Sequence, residues 1–390
     1  MEKVLTKDVP ADGSALDIQG YEKAGGYQGL RKALKMAPNE VVEVVKQSNL
    51  RGRGGAGFPT GLKWSFVPRG AGAPHPKYLC ANADEMEPGT FKDRLLMEST
   101  PHQLIEGMIC AAYAIEADVA YIFLRGEYFL SAERLRKALA EAYAKNYLGK
   151  NILGSGYSLE MHLHLSGGRY MCGEETGLLN ALEGKRANPR TKPPFPQISG
   201  LFGKPSIVQN IETLCNIHHI INNGPEWFKG LSKSADAGTK LYGASGKVKR
   251  PGLWELPMGT TVREILEEHA GGMKEGLKFR GLLPGGASTD FTCPVGFVQN
   301  LEHFFAQESC GWCTPCWSGL SWAEKMLQSI EDGQGQESDL ERLAFICRFA
   351  GPGNTFCALA PGAVEPLQSA LKYFREDFER HIREKRCPWR

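Results

Sequence analysis

Residues 308–316 read E-S-C-G-W-C-T-P-C, which sets Cys310, Cys313 and Cys316 at C-x2-C-x2-C spacing. Two thiols so spaced can hold zinc. Three in succession match the run that wraps a [4Fe–4S] cube and takes its fourth ligand from elsewhere in the chain. Zinc sites usually close with a second C-x2-C knuckle or a histidine pair, and neither follows downstream. Gly311, Thr314 and Pro315 favour a tight loop over a helix here, as wrapping a cube requires. The stretch predicts an electron-carrying iron–sulfur site.

Two cysteines are candidates for the fourth thiolate. Cys347 lies in the apolar helical run L-A-F-I-C-R-F, where a free cysteine is usually a small core hydrophobe. Cys357 follows G-P-G-N-T-F, a loop whose backbone can reach a metal, and is the expected ligand. Cys80, Cys110, Cys172, Cys215, Cys293 and Cys387 show no paired spacing. A cube needs thiolates kept in a reducing compartment, which argues against disulfides.

At 390 residues the chain is long enough for two or three domains. Hydrophobic content of 42% and charged content of 23% are ordinary for a globular protein. A net charge of +2 gives no broad attraction for nucleic acid. No apolar run approaches the roughly 20 residues of a membrane span, and residues 1–10 lack secretory or transit character. Membrane association is therefore expected only through a partner.

From the N-terminus, residues 2–28 read as a polar, glycine-rich arm, and 30–36 and 40–48 as helices. Next comes R-G-R-G-G-A-G-F (51–58), then a helical segment over 60–66. Gly52, Gly54 and Gly57 satisfy G-x-G-x-x-G, but a dinucleotide fold needs a strand before that loop and here a helix precedes it. Bare N–H groups in a glycine run, with Arg51, Arg53 and a following helix N-terminus, still make an anion cradle. Residues 77–81 read as a buried strand that ends at N-A-D-E-M-E-P-G (82–89). Asn82, Asp84, Glu85 and Glu87 stand where α/β sheets bind ligands, although a solvated turn fits the composition equally well.

A helix over 101–117, a strand over 119–124, a helix over 131–147 and a strand over 159–165 imply a partly parallel sheet with right-handed crossovers. His162 and His164 alternate with apolar neighbours and read as occupants of a half-exposed face rather than metal ligands. In G-G-R-Y-M-C-G-E-E-T (167–176), Glu174 and Glu175 open a helix, which suits its dipole and also the sugar or ring of a nucleotide. The basic, proline-stiffened loop 184–196, with Phe195 near its tip, fits either a rigid solvated loop or a clamp on a phosphate-bearing, stackable ligand. S-I-V-Q-N-I-E-T-L (206–214) would close the pocket with Gln209 and Asn210. Strands over 240–248, 252–256 and 277–283, with a helix over 262–269, suggest a small β-grasp-like insert ending at a P-G-G turn. Helices over 297–306, 321–329, 340–349 and 364–385 suggest a four-helix bundle with the cysteine loop between its first two. The expected domains are an α/β domain at 1–237, the insert at 238–296 and the helical domain at 297–390.

Seven stretches together closely resemble the flavin-binding, NADH-oxidising subunits of respiratory complex I (the F subunit of NADH:quinone oxidoreductase, the 51-kDa type). They are G-R-G-G-A-G-F-P-T-G-L-K-W-S-F (52–66), N-A-D-E-M-E-P-G-T (82–90), Y-I-F-L-R-G-E-Y (121–128), C-G-E-E-T (172–176), A-N-P-R-T-K-P-P-F-P (187–196), E-S-C-G-W-C-T-P-C (308–316) and F-C-A-L-A-P-G-A (356–363). The resemblance implies an NADH dehydrogenase that stacks FMN and NADH in one cavity. Hydride would pass from NADH to FMN, then single electrons to the cube, to partner iron–sulfur subunits and to quinone.

It further implies Gly52, Arg53, Gly54, Gly55, Lys63, Asn82, Asp84, Tyr170, Gly173, Glu174 and Asn210 around FMN, with Gly57, Val208 and Thr213 in the same cofactor-binding set. Phe58, Phe66 and Phe195 would flank the NADH adenine or guide the nucleotide, with Glu85, Glu175 and Lys192 near its polar groups. Cys310, Cys313, Cys316 and Cys357 would ligate the cube. No proton-transferring side chain is expected to be essential, because the cofactors exchange the hydride themselves and the protein brings them together and excludes water. Glu85 and Glu175 would tune affinity. The implied partners are a thioredoxin-like [2Fe–2S] subunit and the large multi-cluster subunit of the peripheral arm. The implied place is cytoplasmic, on the inner face of the bacterial inner membrane through the complex.

Three features depart from the family pattern. Only 287–296 separates the P-G-G turn from the bundle, where the family carries a substantial further segment, so a truncated insert is expected. Trp317 stands where a basic residue is usual, and Gln209 replaces a shorter amide. A diaphorase subunit of an NAD-linked hydrogenase or formate dehydrogenase uses the same module, often with an added [2Fe–2S] or ferredoxin domain that is not seen here. A non-catalytic shortened paralogue is the other alternative.

Overall fold

The computed structural model describes residues 2–279, 281–283 and 294–388. Strands β1 (Tyr78–Ala83), β2 (Val119–Leu124), β3 (Glu160–Leu165) and β4 (Ser206–Asn210) form one sheet in the order β3-β2-β1-β4. Every pairing is parallel, with Tyr78 opposite both Val119 and Ser206, and Val119 opposite Glu160. The chain steps outward from β1 to β3 and then returns to the far side of β1. Right-handed crossovers force that reversal to switch faces. Helices Pro101–Ile115, Phe129–Ala144 and Ile211–Asn223 accordingly cover one face. Helix Glu175–Leu182 covers the other, setting Leu178 and Leu179 against Tyr78, Cys80, Phe123 and Val208. The reversal between β1 and β4 is where such a sheet leaves a crevice at its carboxyl ends.

Helix Pro101–Ile115 is buried on almost every side, as a helix apolar all round must be. Gly107 lets it lie directly under the Leu214 carbonyl, which an added Cβ would strike at 2.1 Å. The helix Lys92–Ser99 escapes the sequence reading, because only Leu96 and Met97 give it an apolar face. The N-terminal arm contains helices Ile18–Lys23 and Gln28–Ala33. Its start is fastened by Glu255, whose carboxylate accepts the N–H groups of Val4 (2.8 Å), Leu5 (3.0 Å) and Thr6 (2.8 Å).

The insert holds an antiparallel hairpin, β5 (Thr239–Ala244) and β6 (Gly252–Pro257), followed by Val262–Glu264 and a wider turn at Ile265–His269. The expected run over 240–248 stops at Ala244, and no strand forms over 277–279 or 281–283. Gly276, at φ +76°, turns the chain out of the extended conformation just before that segment. The P-G-G turn at 284–286 and residues 287–293 lie outside the described residues.

The helical domain has its own core and comprises Pro294–Glu308, Thr314–Glu331, Glu337–Phe349, Leu359–Tyr373 and Arg375–Glu384. The single helix expected over 364–385 begins earlier and breaks at Phe374, whose φ of −128° and ψ of 24° are not helical. Five helices therefore replace four. The loop reading of Thr314 and Pro315 is also corrected. Both begin a helix capped at Cys313, since proline in a first turn lacks only an N–H that would go unused.

Candidate functional site

The glycine loop crosses the mouth of the crevice. A bridge between Arg51 and Pro59 and a bond from Gly52 N–H to the Phe58 carbonyl (3.0 Å) close it at its base. Gly55 and Gly57 take φ of +112° and +64°, and a Cβ at either would meet nothing within 4 Å, so space lies open beside the loop. Arg53 is placed differently from its expected anion-binding role. Its N–H donates to Thr213 Oγ1 (2.8 Å), while Nη2 donates to the carbonyls of Ala237 (2.7 Å) and Thr239 (3.1 Å). Arg51 pairs with Asp236 at 2.9 Å. Both arginines thus fasten the cradle to the segment entering β5. The cradle itself offers backbone.

At the end of β1, Asn82 Nδ2 donates to the Gly173 carbonyl (2.9 Å). Asp84 accepts the Ser166 hydroxyl at 2.8 Å on one oxygen, and its other oxygen is buried without a hydrogen-bond partner. Burial pushes this carboxyl up to about 7. Glu85 faces elsewhere. Its carboxylate accepts the N–H groups of Lys92 and Asp93 (both 3.0 Å) and Arg94 (3.2 Å), so it caps the helix Lys92–Ser99. The third acid, Glu87, is half-buried and accepts the Tyr170 hydroxyl at 2.6 Å. The structure therefore keeps Glu87, not Glu85, beside the other candidate residues.

Asn210 ends β4 and caps Ile211–Asn223 through Glu212 N–H (3.0 Å). Its Nδ2 donates to Asp93 (2.7 Å), and Lys92 Nζ approaches its Oδ1 (3.3 Å). Lys92 also meets Asp93 (2.7 Å) and Glu212 (2.9 Å). Burial alone would lower this lysine, but the two carboxylates outweigh it and hold the ammonium charged.

Across the crevice, Glu175 lies between two lysines. Lys63 Nζ is 2.7 Å from one oxygen and also donates to the Val208 carbonyl (3.0 Å), while Lys192 Nζ is 2.6 Å from the other. Burial would raise Glu175, yet the lysines hold it below the usual carboxylate range. Glu174 caps Glu175–Leu182 through the N–H groups of Thr176 and Gly177 (both 2.8 Å) and lies 3.4 Å from Lys192. Phe58, Phe66 and Phe195 are about half exposed, and the first two have ring centroids 6.4 Å apart. Exposed rings beside a polar crevice are suited to stacking.

Cys310, Cys313, Cys316 and Cys357 line one cavity with Met171, Pro189, Trp312 and Phe356. Cys347 is buried in the helical core and does not line it. Among the described residues no three of these sulfurs lie within 4.8 Å of one another. A tetrahedral zinc with bonds of ~2.3 Å would draw them to roughly 3.8 Å. Wider spacing suits a cube, where each cysteine serves a different iron. Burial pushes the Cys316 and Cys357 thiols up to about 11, so a bound cation is needed to hold them as thiolates at neutral pH. Ser309 Oγ (3.2 Å from Cys316 Sγ) and Phe356 N–H (3.5 Å from Cys313 Sγ) are the donors placed to tune such a group.

The short turn Tyr170–Gly173 belongs to both halves. Tyr170 bonds Glu87 on the crevice side, while the next residue, Met171, lines the cysteine cavity. Tyr170 N–H donates to Glu308 (3.0 Å), its ring packs on Phe304 (centroids 5.3 Å apart), and Arg186 Nη2 donates to the Cys310 carbonyl (3.2 Å). The sequence reading assigned no role to Met171, Arg186, Glu308, Ser166, Lys92 or Asp93. Glu308 adjoins the cysteine run and Arg186 lies in the basic loop, so those two had a local signal. The others are defined by contacts across 80 or more residues or by cavities that no spacing encodes.

A nucleotide crevice in an α/β domain abutting a cysteine-lined cavity in a helical domain defines a two-centre redox protein. Residues 45–219 match the model of the Nuo51 FMN-binding domain, 244–291 that of the SLBB domain, and 296–381 that of the NADH-ubiquinone oxidoreductase-F iron-sulfur binding region. The chain is 54% identical to the F subunits of NADH-quinone oxidoreductase in Salmonella typhimurium and in Escherichia coli, over 97% of this chain and 93% of each relative. It is 50% identical to the F 2 subunit of the same enzyme in Rhizobium meliloti, over 100% of this chain and 99% of the relative. The chain belongs to the family of NADH-quinone oxidoreductase F subunits. These alignments run over 414 and 424 positions against 390 residues, so the relatives carry residues this chain lacks. An NAD+-reducing [NiFe]-hydrogenase in its H2-reduced state matches with a TM-score of 0.80 and 34% identity over 90% of this chain. This chain spans 64% of that hydrogenase chain.

Proposed function

We propose that this chain oxidises NADH within an NADH:quinone oxidoreductase, using FMN in the crevice and a [4Fe–4S] cube in the cysteine cavity. The observation that carries this reading is the turn Tyr170–Gly173, in which the Tyr170 hydroxyl bonds Glu87 at the β1 exit while its neighbour Met171 lines the cysteine cavity. FMN, when bound, supplies the two-electron to one-electron conversion that NADH and an iron–sulfur cube require. The cradle's N–H groups and Lys63 hold a phosphate-bearing cofactor. Asn82, Asp84, Tyr170, Gly173 and Asn210 line its seat, and the buried free oxygen of Asp84 suits a donor on the ring. Phe58, Phe66 and Phe195 receive the nucleotide bases, while Glu87, Glu175 and Lys192 meet the polar groups. Cys310, Cys313, Cys316 and Cys357 bind the cube.

The relatives are named as subunits, and the partners proposed here are a [2Fe–2S] subunit and a multi-cluster subunit of the peripheral arm. Exposed Trp312, Trp317 and Phe356 near the cysteine loop suit an electron exit face. No described helix is long and apolar enough to cross a membrane. The proposed location, which rests on the relatives being subunits of a quinone-reducing enzyme, is peripheral, on the cytoplasmic face, through the complex.

The test is NADH:ferricyanide activity of FMN-loaded protein together with an EPR spectrum of the reduced sample. Flavin-dependent turnover and a cubane signal are expected. An FMN-loaded, iron-reconstituted chain that neither oxidises NADH nor shows a cubane signal would overturn the reading. The hydrogenase likeness supports a second reading, a diaphorase subunit. Association with hydrogenase rather than quinone-reducing subunits during native purification would favour it.

A further inference from the structure

Glu331, His381 and Cys387 meet inside the helical domain, and none of them lines the cysteine cavity. They come from three pieces of chain: the end of Thr314–Glu331, the middle of Arg375–Glu384, and the tail beyond it. One donor atom from each lies within 4.8 Å of the others, and all three residues are buried. No other such group of histidine, cysteine or acidic side chains occurs among the described residues.

The backbone explains how Cys387 comes to be there. Helix Arg375–Glu384 ends at Lys385, whose φ of 51° is left-handed. The Lys385 carbonyl then passes so close to Gly333 that an added Cβ would lie 2.0 Å from it. This approach folds the tail back, so Cys387 is buried while Arg386 beside it stays exposed.

His381 is oriented as a ligand would be. Its Nδ1 donates to the Asp377 carbonyl (2.6 Å), which orients the ring so that Nε2 faces Glu331 Oε1, 3.4 Å away. A charge-assisted hydrogen bond would close to about 2.7–2.9 Å. Among the other histidine–carboxylate pairs of the described residues, His102–Glu141 and His75–Asp118 stand at 2.8 Å and His303–Glu324 at 2.5 Å, whereas His162–Glu160 and His218–Glu106 stand at 3.8 and 4.0 Å. The His381–Glu331 distance equals the spacing of two ligands that each sit about 2.0–2.1 Å from one tetrahedral ion, roughly 3.4 Å, and of these pairs it alone has a third donor within reach, Cys387. Burial of all three side chains rules out a nucleophile acting on an external substrate. Carboxylate, imidazole and thiolate together select zinc-class divalent ions over magnesium or calcium.

We propose that Glu331, His381 and Cys387 bind one divalent ion of the zinc class, which staples the C-terminal tail to the bundle. Cys387 releases its thiol proton to solvent as the ion binds, and the two anionic ligands balance the ion's charge.

The test titrates Zn2+ and, separately, Co2+ into full-length protein carrying FMN and an intact cube, against a competing chelator. One equivalent of ion beyond the cluster iron is expected, with a thiolate-to-cobalt charge-transfer band and a zinc-dependent rise in Tm. Cys387→Ser, a nearly isosteric change, should abolish the band. It should weaken uptake by more than the roughly 10- to 100-fold that an outer-shell partner is worth, with the cube's visible absorbance unchanged. Cys347→Ser, at a buried thiol outside the trio, should retain band and uptake. A wild-type chain that takes up no such ion overturns the site even if the variants fail to fold. So does a Cys387→Ser chain that binds as the wild type does.

Discussion

Tyr170 donates its backbone N–H to the Glu308 carboxylate at 3.0 Å, joining the turn at the crevice to the residue two positions before the first cluster cysteine. This bond ties the turn that carries Tyr170 to the helix Pro294–Glu308 of the helical domain. Hydrogen bonds to charged groups contribute about 1.5–3 kcal/mol, and partial exposure places this one at the lower end. Glu308→Ala is expected to lower Tm modestly and keep bound FMN. Stopped-flow absorbance should then show unchanged flavin reduction but slower reduction of the cube.

The two glutamates of the β1 exit separate by role. Glu85→Ala removes the cap of Lys92–Ser99 and should cost about 0.5–2 kcal/mol in urea denaturation, the usual worth of an N-cap. Glu87→Gln breaks no helix cap. It should leave stability and flavin content near wild type and change the KM for NADH. Equal loss of stability in both variants would contradict this division.

Glu175 stands between Lys63 and Lys192, so Glu175→Gln leaves Lys63 without its anion and Lys192 with only Glu174, 3.4 Å away. The expected outcome is an altered KM for NADH with FMN retained. Steady-state kinetics at saturating NADH and full flavin check it, because loss of turnover under those conditions would place Glu175 in the chemistry itself.

Asp84 gives the FMN-free protein a pH dependence of definite sign. Its folded value is about 7, against roughly 3.9 for a free aspartate. Between those values the native state binds more protons than the unfolded one, so stability falls as pH rises from about 4 to 7 and levels off above. Glu85, also pushed up to about 7 by burial, adds a contribution of the same sign. Asp84→Asn should remove one of these, flattening the slope by up to ~1.4 kcal/mol per pH unit in urea titrations at pH 5, 6 and 7.

The cysteines offer a paired comparison. Cys357→Ser should eliminate the cubane EPR signal, whereas Cys347→Ser should keep it and cost only packing. A retained signal in the first variant would move the fourth ligand elsewhere.

The sheet was legible because β1 and β2 are near-continuous apolar runs, and 119–124 matches the observed strand at both ends. The crevice residues were legible as types at strand ends and in glycine runs. What the spacing could not carry was direction. Nothing local distinguishes Glu85 from Glu87, two residues apart, until the N-terminus of Lys92–Ser99 claims the first. Arg53 looks like an anion-binding side chain until carbonyls 184 and 186 residues away take up its guanidinium. Thr314 and Pro315 read as loop formers because proline blocks helix interiors but is tolerated in a first turn.

Those distant carbonyls have a further consequence for how the chain is made. The glycine loop leaves the ribosome early, but the groups that hold its Arg53, the Thr213 hydroxyl on the backbone N–H and the Ala237 and Thr239 carbonyls on the guanidinium, follow much later. At about 5–20 residues per second that interval lasts roughly 10–40 s. Arg53 and the loop around it are accordingly held in place only after residue 239 has been made.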